Sequence, residues 1–252
     1  MMSRGAYKVW LRNARVWKKN MLASLIGNLG QPVLFLIALG YGLGREIPDL
    51  SGLTYVQFIA PGLAASAVMY SAAFETTYGS YTRLGPQKTF EGILMTSVTL
   101  NELALGEIYW GATKGLLSAV IMLAALPLFD VWPSLWTIAL LPLLFIAGML
   151  FAAWGLIMSA LAKTYEFFNY FISLIVTPLF LFSGIFFPVE TLPAPQKHIL
   201  TWLPLTPVVT LSRKFCYGDV DKSMLVQIAA VTLLTCISCW FAAYFLRKRL
   251  IQ

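Results

Sequence analysis

Apolar residues gather into six long runs, over residues 21–43, 55–78, 103–128, 135–161, 167–187 and 224–246. Each is about 20 residues or longer, enough for an α-helix to cross the hydrocarbon core of a bilayer. The last three contain no Asp, Glu, Lys or Arg. Pro32, Pro142 and Pro178 fall inside runs, which membrane helices tolerate because neighbouring elements satisfy the freed backbone groups. The pattern predicts an all-α membrane protein with six transmembrane helices, built as one domain over residues 1–252.

The chain after the fifth run breaks this pattern. Residues 199–207 are apolar again, yet too short to cross, and they include Pro204 and Pro207. Irregular backbone at membrane depth persists only where it is buried in protein or lines a wet cavity. Residues 188–215 are therefore expected to form a re-entrant element at the mouth of a transport pathway.

Before the first run, Tyr7, Trp10, Leu11, Ala14 and Trp17 recur at helical spacing, with Arg4, Lys8, Arg12, Arg15 and Lys19 on a second stripe. This predicts an amphipathic helix over residues 1–20, lying in the membrane interface. Two roles fit it: a topology signal alone, or a helix that also touches a cytoplasmic partner. The basic stretch runs to Lys19 and the first apolar run is interrupted by Gly27, Gly30 and Pro32, so retention of the first span is expected rather than cleavage.

Cation bias orients the spans. With both termini in the cytoplasm, that side receives Arg4, Lys8, Arg12, Arg15, Lys18, Lys19, Arg83, Lys88, Lys163, Arg247, Lys248 and Arg249. The opposite side receives Arg45, Lys197, Arg213, Lys214 and Lys222, and Lys114 stays within a span. Twelve against five predicts cytoplasmic N and C termini.

Composition agrees. Of 252 residues, 59% are hydrophobic and only 12% charged, with a mean hydropathy of +0.75. The net charge of +7 sits at the ends of apolar runs rather than in one patch, so nucleic acid is not an expected partner, whereas membrane lipid is. Cys236 and Cys239 have redox-motif spacing, but inside an apolar helix they read as small hydrophobes. No phosphate-cradling glycine loop, H-E-x-x-H or clustered metal-ligand set occurs. The single histidine, His198, falls in a predicted outer loop. Neither a catalytic set nor a metal is expected.

What remains is ionisable residues within the spans, which are costly in lipid and often mark function. Glu107 and Lys114 lie seven residues apart on the third run, hence on roughly one helix face, and Glu75 lies near the inner end of the second. Pairing, interfacial placement and function all fit these three.

The first cytoplasmic loop, residues 83–99, carries Phe90, Ile93, Leu94, Met95 and Val98, too apolar for a solvated connector. Thr89 is placed to cap a short helix near residues 89–98. That helix is either a docking surface for another protein or packs beneath its own bundle.

Taken together, Phe58-Ile-Ala-Pro-Gly62, Thr89-Phe-Glu-Gly-Ile-Leu-Met-Thr96, Leu181-Phe-Ser-Gly-Ile-Phe-Phe-Pro-Val-Glu-Thr-Leu-Pro193 and Leu203-Pro-Leu-Thr-Pro207 resemble the permease subunit of ABC-2 exporters, most closely the nodulation-protein-J-like branch. The resemblance spans essentially the whole chain. It implies a homodimer of this chain in the bacterial cytoplasmic (inner) membrane, resting on two copies of a separate ABC ATPase subunit. ATP and magnesium would bind to that partner, not here. It implies a coupling helix in the first cytoplasmic loop, with Phe90, Glu91 and Met95 as contacts. The turn at Glu166 would be a second, smaller contact, and the N-terminal helix would flank the ATPase. A re-entrant helical hairpin over residues 188–215 would close the outer end, ahead of a sixth span at 224–246.

At that outer end, Phe182, Phe186, Phe187, Pro188, Glu190 and Trp202 are candidate pathway or gate residues. Their rings suit acyl chains or sugars, or form an ordinary interfacial aromatic belt. The expected activity is ATP-driven export of an amphiphile such as a glycolipid, lipo-oligosaccharide or polysaccharide intermediate. A drug or peptide efflux permease is the alternative. A membrane-embedded lipid enzyme is disfavoured by the scarcity of catalytic side chains.

Overall fold

A computed structural model describes residues 3–251 apart from residues 45, 46, 48, 51 and 220. Arg45, counted above among the outer cations, lies outside the described residues, as does the side chain of Glu190. Among the described residues the regular structure is helical, with one isolated bridge between Leu50 and Leu53 and no strand.

Ten helices organise it. They are α1 Arg4–Lys18, α2 Met21–Ile37 (continued as a π turn over Ala38–Leu43), α3 Tyr55–Leu84, α4 Thr89–Leu94 and α5 Leu100–Phe129. There follow α6 Thr137–Leu161, α7 Phe167–Phe182, α8 Ala194–Thr201, α9 Leu205–Tyr217 and α10 Ser223–Ile251. Four of them, α3, α5, α6 and α10, are long and apolar enough to cross a membrane, while α7 is a shorter apolar helix. Helices α3 and α5 start at well-formed caps: Thr54 and Thr99 each accept from the third helical N–H, and Gln57 and Glu102 reciprocate.

Helix α3 is the axis of the bundle. Its apolar stretch is 89% buried, against 22% for that of α10, which turns its side chains outward. Close approach is made possible by glycines on its neighbours. A Cβ at Gly155 of α6 would meet Thr76 Oγ1 at 2.2 Å and the Ala73 carbonyl at 2.8 Å, and one at Gly111 of α5 would meet Thr76 Cγ2 at 2.7 Å. Small residues at contacts are how membrane helices gain packing without a hydrophobic driving force between them.

Helix α3 is not uniform. It runs as α-helix to Phe74, passes through a π turn over Glu75–Gly79 and resumes over Ser80–Leu84. The turn is pinned from α6: the Ser159 hydroxyl lies 2.7 and 2.8 Å from the Thr76 and Thr77 carbonyls. The Thr76 and Thr77 hydroxyls donate back to the Ala72 and Ala73 carbonyls.

Two sequence expectations change in detail. Thr89 does not cap α4: Lys88, in the left-handed region at φ 48°, occupies that position. The N-terminal helix buries Gly5, Ala6, Val9 and Asn13 rather than its bulky stripe. Those small residues let α1 lie directly against α5, where a Cβ on Gly106 would meet Val9 at 2.6 Å.

Candidate functional site: a buried charge cluster and an outer clasp

Where α1, α3 and α5 meet, four charged side chains close on one another. Arg83 is the hub, donating to Glu75 Oε1 at 3.0 Å and to Glu107 Oε2 at 2.7 Å. Lys114 Nζ donates to Glu75 Oε2 at 2.7 Å, and Trp110 Nε1 to Glu75 Oε1 at 2.8 Å. The Ser80 hydroxyl donates to Glu107 Oε2 at 2.8 Å, and Asn13 Nδ2 to Glu107 Oε1 at 2.7 Å. Glu107 is fully buried. Two carboxylates and two cations cancel, and every carboxylate oxygen has a donor, which is what a buried ion cluster requires.

The π turn creates this geometry. Eight residues separate Glu75 from Arg83, which in a regular helix sets them about 80° apart around the axis. The π turn absorbs one extra residue, so the pair falls about two turns apart on one face. Gly79 lies between them, where a Cβ would meet Glu75 Oε1 at 2.9 Å and Arg83 Nη2 at 3.3 Å. Any side chain there would push the pair apart.

Glu75, Glu107 and Lys114, singled out in the sequence as intramembrane ionisable residues for which pairing was one reading, are thus brought together. Arg83 was expected as a loop cation, and its role is a finding of the structure. Asn13, Ser80 and Trp110 join it without a signal in the sequence, since each is polar in a helix that also carries other polar residues. The clue for Arg83 was available: one cation facing two carboxylates that lipid would otherwise penalise.

An open recess of about 410 Å³ borders the cluster, lined by Arg12, Trp17, Asn20, Tyr78, Arg83, Trp110 and Lys114 among others. The Arg12 guanidinium is held below its usual range, by burial first and then by the charge of Arg83.

From the recess an aromatic column climbs α3. Tyr165 stacks on Tyr78 (ring centroids 6.4 Å), Tyr78 on Phe74 (5.8 Å) and Phe74 on Tyr70 (6.1 Å). Tyr70 meets Phe180 edge-on at 5.5 Å, and Phe180 meets Phe186 at 5.1 Å. The i, i+4 spacing of Tyr70, Phe74 and Tyr78 puts the three on one face.

At the far end of α3 the resemblance-bearing motifs converge. Pro61 has no N–H, so the carbonyl of Gln57, four residues earlier, loses its helical donor. The Tyr217 hydroxyl of α9 donates to it at 2.7 Å. Arg213, one turn earlier on α9, donates to the Phe58 carbonyl (3.2 Å) and the Gly184 carbonyl (3.0 Å), with its guanidinium 3.7 Å above the Phe58 ring. Gly184 has φ +77° and faces the Val189 side chain, so only glycine fits the turn. A Cβ on Gly62 would meet Ile185 at 3.3 Å.

The remaining predicted residues divide. Phe90 is fully buried, whereas Glu91 and Glu166 are exposed and Met95 is 86% exposed. Tyr165, beside Glu166, bonds to Thr82 (2.8 Å), so that turn rests on the same end of α3 that leads into α4. Phe182 and Phe187 line an apolar pocket of about 360 Å³ with Leu192, Ile199 and Leu200. Pro188 borders a different pocket, with Arg213 and Tyr217. Trp202, exposed, donates to His198 Nε2 at 3.4 Å. Phe186 alone of the predicted gate residues joins the aromatic column.

A bundle of apolar helices, four of them long and apolar enough to cross a membrane, around a buried ion cluster and an aromatic column is the architecture of a multi-pass membrane protein. The chain belongs to the ABC-2 type transporter family, whose model matches residues 6–217. It is similar to Nodulation protein J of Rhizobium meliloti (strain 1021), 35% identical over 244 residues, 96% of this chain and 92% of the relative. Similarity to Nodulation protein J of Rhizobium leguminosarum bv. viciae is also 35%, over 246 residues, 97% of this chain and 94% of the relative. The inner membrane transport permease YadH of Escherichia coli (strain K12) is 27% identical over 209 residues, 82% and 78% of the two chains. The chain is therefore a membrane transport permease.

Proposed function

We propose that this permease is the membrane subunit of an ATP-driven exporter of an amphiphile, a glycolipid, lipo-oligosaccharide or polysaccharide intermediate, in the bacterial inner membrane. The observation that carries the reading is the aromatic column from Tyr78 to Phe186, in which Tyr78, Phe74 and Phe186 remain partly exposed while Tyr70 and Phe180 are buried. Aromatic faces stack on sugar rings and pack acyl chains, and they offer little to a small ion.

In this reading the six apolar runs are six spans with both termini in the cytoplasm. Two copies of the chain enclose the route, and two ATPase subunits bind ATP and magnesium beneath them. Helices α8 and α9, joined by only three residues, form the re-entrant hairpin, and the Arg213–Tyr217 clasp holds it to α3. Met95, Glu91 and Glu166 face the ATPase, while Phe90 anchors α4 to the bundle.

The test is reconstitution with the cognate ATPase subunit and measurement of ATP-dependent delivery of labelled glycolipid across the vesicle. Replacing Phe74, which packs half-buried against the core, by Ala is expected to lower delivery severalfold per mole of folded permease. Undiminished delivery by Phe74→Ala and Tyr70→Ala variants would remove the column from the pathway, and failure of any ATPase to copurify would end the exporter reading.

A further inference from the structure

The recess beside the ion cluster has a surplus of donors. Of the charged groups lining it, Arg12, Arg83 and Lys114 are cationic and Glu75 anionic, and counting Glu107 behind Arg83 still leaves one positive charge in excess. The two carboxylates are taken up by Arg83, Lys114, Trp110, Asn13 and Ser80. Lys114 therefore has N–H donors beyond the one given to Glu75. Arg12 gives one hydrogen bond, to Asn13 Oδ1 at 2.9 Å. The Trp17 indole Nε1 is buried and has no acceptor among the described residues, although its ring is fixed edge-on to Trp110 at 5.8 Å. Beside it α2 begins just after Asn20, whose side chain makes no capping bond. A buried N–H without an acceptor is costly, and a helix start adds positive potential.

We propose that this recess is a binding site for a terminal phosphate, as a monoester or as the free anion, held by Arg12, Lys114 and the Trp17 indole N–H. A tetrahedral oxyanion supplies several acceptors at once, as these three donors require. The source is a phosphorylated lipid headgroup of the inner leaflet or a free phosphate.

The experiment is calorimetric titration of the full chain in neutral detergent with dihexanoyl phosphatidic acid, dihexanoyl phosphatidylcholine and inorganic phosphate. Saturable binding of phosphatidic acid is expected, weakened about tenfold or more by Arg12→Gln and about threefold or more by Trp17→Phe, which keeps the ring and removes only the donor. Lys18→Gln, on the same helix outside the recess, should leave affinity unchanged. Binding of phosphatidic acid with little of inorganic phosphate assigns the site to lipid, and comparable binding of both assigns it to phosphate itself. Wild-type affinity in both Arg12→Gln and Trp17→Phe, equal weakening by Lys18→Gln, or equal binding of phosphatidylcholine would each overturn the proposal.

Discussion

The Tyr217 hydroxyl donates at 2.7 Å to the carbonyl of Gln57, the group that Pro61 leaves without a helical partner. A defect in one helix thus becomes an attachment point for another. Tyr217→Phe leaves that half-buried acceptor without its donor, at a cost of about 1 kcal/mol. Pro61→Ala restores an N–H in the helix and should recover most of that loss in the double variant. Thermal unfolding of the four proteins in detergent, read as a double-mutant cycle, checks it. Strictly additive effects would show that Tyr217 and Pro61 are unconnected.

Arg83 neutralises two carboxylates and Lys114 shares one of them. Arg83→Met should therefore be the more damaging change, of order 3–5 kcal/mol for an uncompensated buried charge. Lys114→Met leaves Glu75 with Arg83 and Trp110 and should cost less. The abundance and melting temperature of the purified variants give the order, and the reverse order would contradict Arg83 as hub.

Glycine substitutions separate close contact from open space. Gly155→Ala drives a methyl into the Ala73 carbonyl and Thr76 hydroxyl, an overpacking expected to cost about 1–3 kcal/mol. Gly92→Ala on α4 meets nothing within 4 Å and should be neutral or slightly stabilising by helix propensity. Melting curves of the two variants should differ by several degrees.

On α4, burial predicts two different failures. Phe90→Asp places a charge in the core and should abolish accumulation of the protein. Met95→Asp alters an exposed residue and should leave abundance intact while uncoupling ATP hydrolysis in the reconstituted complex. Normal accumulation of Phe90→Asp would contradict the buried position.

The sequence was most legible where a single physical pressure acts. Runs of about 20 apolar residues announce helices, and each of the six holds one here, although the fifth is helical only to Phe182 and four helices are long and apolar enough to cross. The Pro61–Gly62 and Ser183–Pro188 motifs were visible as punctuation, but not that one serves the other. Arg83 reads as a loop cation in the sequence because the apolar run stops at Tyr78, whereas α3 continues through the π turn to Leu84. The bulky aromatic stripe of α1 hid its contact face, since that face mixes a glycine, two smaller apolar residues and an amide (Gly5, Ala6, Val9 and Asn13) rather than a run of large side chains.

A π turn is one residue out of phase with the helix around it. Were Glu75–Gly79 to rewind as α-helix, everything beyond it would swivel by about 100° and advance by about 1.5 Å. Arg83 would leave Glu75 and Glu107, and the root of α4 would swing with it. The ion cluster and the Ser159 hydroxyl together hold α3 in this out-of-phase setting, while Tyr217 fixes its far end.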